Sequence, residues 1–178
     1  MKKLNVVLSL VAMATLGIAM SASTVQAQET REQAVAHLRK TNPKEMDPAF
    51  TKAAPFAQKL VNEALAKHSE VLLIAIHAGA PKYDIIASNF GRIGKLGDED
   101  DLRCIRTGKD NLEVSPEGIH FEDEIPLRDQ SGKVIGAIGV VFHYNAGDDK
   151  LALQKIAQEI RDEMKVQLPN AKRLFGPA

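Results

Sequence analysis

The sequence predicts a single α+β domain built around one mainly antiparallel sheet of five strands. Three observations lead to this. Short β-rich runs bounded by turn residues recur between Val71 and Tyr144, two early and three late. Stretches whose apolar residues repeat at three and four positions, as helices require, stand before and after them. The segment "EIPLRDQSGKVIGAIGVVFHY", residues 124–144, reads as two strands around a tight turn.

The chain opens on a secretory leader pattern. Lys2 and Lys3 precede an uncharged apolar run from Val6 to Met20, and small residues lead to a cleavage site after Ala27. Removal of residues 1–27 leaves a mature chain starting at Gln28, expected in the periplasm or outside the cell. Residues 28–55 then form an N-terminal helix and linker, 56–168 the principal domain with its C-terminal helix, and 169–178 a tail. The 23 basic residues balance the 23 acidic ones, and loss of Lys2 and Lys3 makes the mature chain slightly acidic. With no basic block, nucleic acid is not an expected partner. No second apolar stretch is long enough to span a bilayer. The single cysteine, Cys104, allows no internal disulfide and is expected to be a buried small apolar residue.

The elements follow in order. Thr30 and Gln33 have capping-box spacing and start a short helix, which Pro43 and Pro48 end. A second helix begins near Pro55, with Phe56, Leu60, Val61, Ala64, Leu65 and His68 on one stripe. "VLLIAIHA" (71–78) and "KYDIIASN" (82–89) form a hairpin around "GAP". In "FGRIGKLGDEDDLRCIRTG" a glycine-rich loop leads to a short helix, with acids in its first turn, arginines in its last and Gly108 at the C-cap position. "LEVS", "GIHFEDEIPL" and "VIGAIGVVFHY" are the last three strands. A final helix, capped by Asp148 and ended by Pro169, places Leu153, Ile156, Ala157, Ile160 and Met164 on one side.

The helix before the sheet, "IASN" on the second strand, "GRIGK" leading to "DLRCIRTGK", and above all "IPLRDQSGKVIGAIGVVF" resemble the extracellular Cache domains, PAS-like ligand-sensing modules. The resemblance covers roughly Phe56 to Gln167. It implies strand order 2-1-5-4-3, a long N-terminal helix on one face of the sheet, and a small ligand on the other face under the loop and short helix. Cache domains usually sit between two membrane helices and drive an output domain; this chain shows neither, so it is expected to be freestanding and to act through a membrane-bound receptor or kinase.

Alternation sorts the strand faces. With Asp129 to Gly132 as the loop, Arg128 stands opposite Lys133. Val134, Ile138, Val140 and Phe142 then share a core face with Leu127, Ile125, Phe121 and Ile119. The other face carries Ile135, Ala137, Gly139, Val141 and His143 opposite Pro126, Glu124, Glu122 and His120. In the first strand Leu73, Ala75 and His77 take the smaller side. If that strand runs parallel beside the last, as the Cache-like order is read here, His77, His120 and His143 meet at one end and rim a pocket whose floor is kept open by Ala75, Ala137 and Gly139. Arg92, Lys95 and Arg103 would approach from the loop and short helix, suiting a small organic anion.

The expected site is therefore His77, Arg92, Lys95, Arg103, His120, Glu122 and His143. The expected function is binding of a small polar ligand, with no cofactor, by a monomer or weak dimer. The alternative is a divalent metal or haem held by His77, His120 and His143. An enzyme is not expected, since no GxSxG, HExxH, P-loop or Cys-His signature occurs.

Overall fold

The computed structural model describes residues 30–40 and 45–178; the expected leader and the proline break at Pro43 lie outside the described residues. Thr30 N donates to Gln33 Oε1 at 2.7 Å and Gln33 N to Thr30 Oγ1 at 3.3 Å, forming the predicted capping box. It opens α1 (Arg31–Lys40). Helix α2 (Pro55–Lys67) starts with proline in its first turn, where a missing N–H costs nothing, and buries Phe56, Ala57, Leu60, Val61 and Ala64.

The strands are β1 (Val71–Ala78), β2 (Asp84–Ser88), β3 (Asn111–Val114), β4 (His120–Arg128) and β5 (Val134–His143). They form one sheet in the order β2-β1-β5-β4-β3. Every pairing is antiparallel, including β1 with β5. That corrects the parallel arrangement expected for these two strands. Val71 lies beside Phe142 and His77 beside Ala137, so β1 and β5 run in opposite directions.

The β4–β5 hairpin departs from the expected pairing by two residues. Ile125 faces Ile138 and Pro126 faces Ala137. A two-residue slip leaves every side chain on its own face, because the strand period is two. A bulge between Leu127 and Arg128 changes the faces locally. Val134 turns toward Gly108, and Ile135 joins the main core, the reverse of the expected sides.

That core lies between the sheet, α2 and α4 (Lys150–Lys165). It gathers Leu60, Ile74, Phe121, Ile125, Ile138, Phe142, Ile160 and Met164, with Leu153 and Ile156 packed at its edge. Full burial of each large side chain stabilises the fold by about 1.5–3 kcal/mol. Asp149, not Asp148, caps α4, accepting from the amides of Leu151 and Ala152. Asp148 instead accepts from Asn145 N at 2.7 Å. The segment expected as a tail is packed: a 3-10 turn, Ala171–Phe175, buries Leu174 in the core.

The second sheet face is covered by α1 and by α3 (Glu99–Thr107). Asp98 and Asp101 form a capping box at the start of α3, and Gly108 closes it at φ 66°, the left-handed region glycine adopts without strain. Arg31 ties the start of α1 to the backbone carbonyls of Ser69, Glu70 and Val71. The ring of His120 bonds through Nε2 to Ala34 O at 3.0 Å, and Arg92 donates to Leu38 O. Among the described residues, no helix is long and apolar enough to cross a membrane.

Candidate functional site

The site lies on the small-residue face of the sheet. Leu73, Ala75 and His77 of β1, Val141 of β5 and Glu122 of β4 form its floor; Ile85 and Ser88 of β2, Arg92 and Lys95 of the following loop, and Leu38 of α1 complete it. They enclose about 60 Å³, room for a few waters or a ligand of a few heavy atoms. The loop is stitched to the edge of β2, with Ile85 N donating to Lys95 O and Gly94 N to Ile85 O, each at 2.8 Å. Gly94 is required there, since at φ 90° a Cβ would strike the carbonyl oxygens of Phe50 and Asp47.

Glu122 carries the chemistry of this cavity. Its carboxylate accepts no hydrogen bond among the described residues. Burial pushes its pKa up to about 7, with Asp98 adding to the rise and Lys95 opposing it. Lys95 sits 3.0 Å from Asp98. Burial works against its charge, but Asp98, Asp101 and Glu122 hold its pKa above the ordinary lysine value. Burial lowers the pKa of Arg92, and Glu122 counters this.

His77 is buried, and its Nδ1 lies 3.2 Å from Tyr83 O and 3.4 Å from Asp101 Oδ2. Burial, with Lys95 second, drives its pKa down to about 4, so the ring is neutral at physiological pH. The His77–Asp101 approach is therefore not an ion pair. A neutral His77 donates from Nδ1 to the Tyr83 carbonyl and keeps Nε2 as an acceptor. Asp101 is itself buried, its pKa pushed up to about 7 by burial and then by Asp98.

The three histidines do not converge. His120 and His143 face each other across β4 and β5. His77 stands beside Ala137, six residues along β5 from His143, which at strand rise is roughly 20 Å away. The expected shared pocket, and with it a metal or haem site made from His77, His120 and His143, is excluded by the antiparallel β1–β5 pairing. His37 of α1 is a further neighbour of His120, the two rings stacking at 5.5 Å.

Of the expected cations, Lys95 and Arg92 line the cavity and Arg103 does not. Arg103 pairs with Asp100 at 2.6 Å and donates to Asn111 Oδ1. Arg106 pairs with Glu99 at 3.0 Å. The lid of α3 therefore brings acids rather than arginines to the sheet.

Glu124 is the clearest residue the sequence reading left unused. Burial, then Asp101, Glu122, Asp98 and Asp100, push its pKa up to about 9. Among the described residues its only side-chain bond is a long one from Asn111 Nδ2, 3.4 Å. Asp98, Asp100 and Glu124 bring carboxylate oxygens within 4.8 Å of one another, close enough to share a cation, though Lys95 and Arg103 already neutralise the two aspartates. The signal was present in sequence, since Glu124 follows Glu122 on the same face, but solvent exposure explained both acids equally well. Asp101 was hidden because an acid in a helix's first turn is already accounted for by capping. Cys104 is buried as expected, donating to Glu124 O at 3.4 Å, with burial pushing its thiol up to about 12.

No protein-family model and no curated protein matches the chain. The geometry of the cavity therefore carries the functional reading.

Proposed function

We propose that this chain is an exported, freestanding Cache-like module that binds a small polar ligand in the cavity beneath α1 and presents its bound form to a membrane-bound receptor or kinase. Binding, not catalysis, is the reading the site supports best. The observation that carries it is Glu122, a half-buried carboxylate that lines the cavity and accepts no hydrogen bond among the described residues. A ligand donor would supply the hydrogen bond that no neighbouring side chain or amide gives this carboxylate. The sequence suggested an organic anion. With Arg103 outside the cavity, Arg92 bonded to α1 and Lys95 paired with Asp98, the open valence belongs to an acid. A ligand presenting an amine or another N–H donor to Glu122, with any carboxylate toward Lys95, fits best. The cavity volume confines the ligand to a few heavy atoms unless α1 lifts.

The test is a thermal-shift series on the mature chain with ethanolamine, glycine and acetate. Ethanolamine or glycine should raise the melting temperature of the wild type and leave Glu122→Gln unmoved. Stabilisation by acetate alone, or equal shifts in both proteins, would return the site to the anion reading or remove Glu122 from it.

A further inference from the structure

A second cavity lies away from α1, between the loop after β1, the β4–β5 turn and the C-terminal 3-10 segment. It is a groove of about 330 Å³ whose lining includes Ala80, Ile135, Ala171 and Phe175, with Lys133 and Lys172 at its rim. That volume falls in the range of small-molecule sites. Its walls are fixed. Gln130 bonds through N to Leu168 O at 2.8 Å and through Nε2 to Val166 O at 2.7 Å, tying the turn to the C-terminal segment. On the other side Phe56 N donates to Gly176 O, Leu174 is fully buried, and the Arg173 guanidinium lies 3.6 Å over the Phe56 ring. A groove held this way loses little ordering entropy when it is filled.

Its chemistry is two-sided. Ile135 belongs to the main core, and Phe175 is 44% exposed, one of few large apolar side chains left open to solvent. Lys133 and Lys172 are both exposed, and neither forms an ion pair among the described residues. The groove continues to Asp129, but that carboxylate is held within its own turn by Ser131 and by the amide of Lys133. Asp129 stays ionised, its pKa lowered by Ser131 first, so the two lysines against one carboxylate leave the groove net positive over an apolar floor.

We propose that this groove binds a carboxylate carrying a short apolar tail, the acid head between Lys133 and Lys172 and the tail along Ile135 and Phe175. This site is independent of the cavity beneath α1, and its occupant has the opposite charge.

The experiment is an amide NMR titration of the mature chain with sodium octanoate, with octylamine as the control of equal length. Octanoate should produce saturable shifts centred on Ala80, Ile135 and Phe175, and octylamine none. Combining Lys133→Glu with Lys172→Glu, both at exposed positions, should raise the dissociation constant about tenfold or more, as loss of charge-assisted bonds implies. Glu122→Gln should leave it unchanged. The proposal is overturned by an absence of saturable shifts at millimolar octanoate, by equal affinity in the double variant, or by shifts confined to Ser88, Lys95 and Glu122.

Discussion

Oε1 of Glu122 lies 3.3 Å from the point that a Cβ on Gly139 would occupy. The absence of a side chain on β5 is what lets the carboxylate settle over the sheet. Gly139→Ala should therefore move Glu122 by a few tenths of an ångström and disturb the cavity more than the fold. The backbone at Gly139 is not left-handed, and overpacking of this kind costs about 1 kcal/mol or somewhat more. Loss of the ligand-induced thermal shift, with a melting temperature within a few degrees of wild type, is the expected pair of results.

Gly136 gives the contrasting case. A Cβ there would collide with the carbonyl oxygen of His77, in the backbone of β1, where nothing can swing aside. Gly136→Ala should force β1 and β5 apart and destabilise the protein by roughly 3 kcal/mol or more. Urea denaturation would show this directly; a midpoint close to wild type would mean that the strands approach less closely than described.

Asp123 is fully buried on the core face, and neither of its carboxylate oxygens has a hydrogen-bond partner among the described residues. Burial, reinforced by Asp110 and opposed by Arg161, pushes its pKa up to about 8. A carboxyl raised on folding adds no penalty below its unfolded value near 3.9. The stability it permits is lost as pH rises toward 8. Asp123→Asn should stabilise the protein by roughly 2–4 kcal/mol at pH 8 and by little at pH 4. Denaturation curves at the two pH values measure the difference, and an equal effect at both would show that Asp123 is not titrating.

These residues also show how far the sequence reaches. Alternation alone placed Glu122, Gly139 and His77 on one face, and a two-residue error in pairing did not disturb that, because a slip by the strand period conserves sides. Alternation carries no information on strand direction. His77 and His143 were thus put on the right face and at the wrong relation, since the β1–β5 pairing is a long-range contact with no local signature. The bulge that exchanges Val134 and Ile135 is equally silent, as neither residue is glycine or proline. Asp123 was passed over within an otherwise apolar face. The cover supplied by α1 could not be read at all: its capping box marks where the helix starts but not what it lies on, so Leu38 and the His37–His120 contact emerge only in three dimensions.

That cover should open as the pH falls. The ring of His120 bonds to Ala34 O and stacks on His37, with His143 directly across the strand pair. Burial, then the charges of His37 and His143, lower the pKa of His120, while its bond to Ala34 and the nearby Glu117 raise it without reversing the shift. A histidine depressed on folding contributes stability above its unfolded pKa near 6.5 and loses it as pH falls through the folded value. Acidification from 7 to 5 should therefore loosen α1, while over the same range Asp101 and Glu122 gain protons and Asp123 and Glu124, already protonated in the folded protein, hold protons that the unfolded chain lacks, which steadies the sheet. The two effects have opposite signs in different parts of the molecule, so hydrogen exchange resolved by segment separates them. Residues 31–40 should exchange faster at pH 5 than at pH 7 once the intrinsic pH dependence is removed, while β4 and β5 exchange more slowly. His120→Ala combined with Arg92→Ala should give fast exchange in α1 at both pH values, since Ala34 and Leu38 then lose their side-chain donors. Protection of α1 that is unaffected by pH and by the double variant would show that Arg31 and the apolar contacts hold the helix alone.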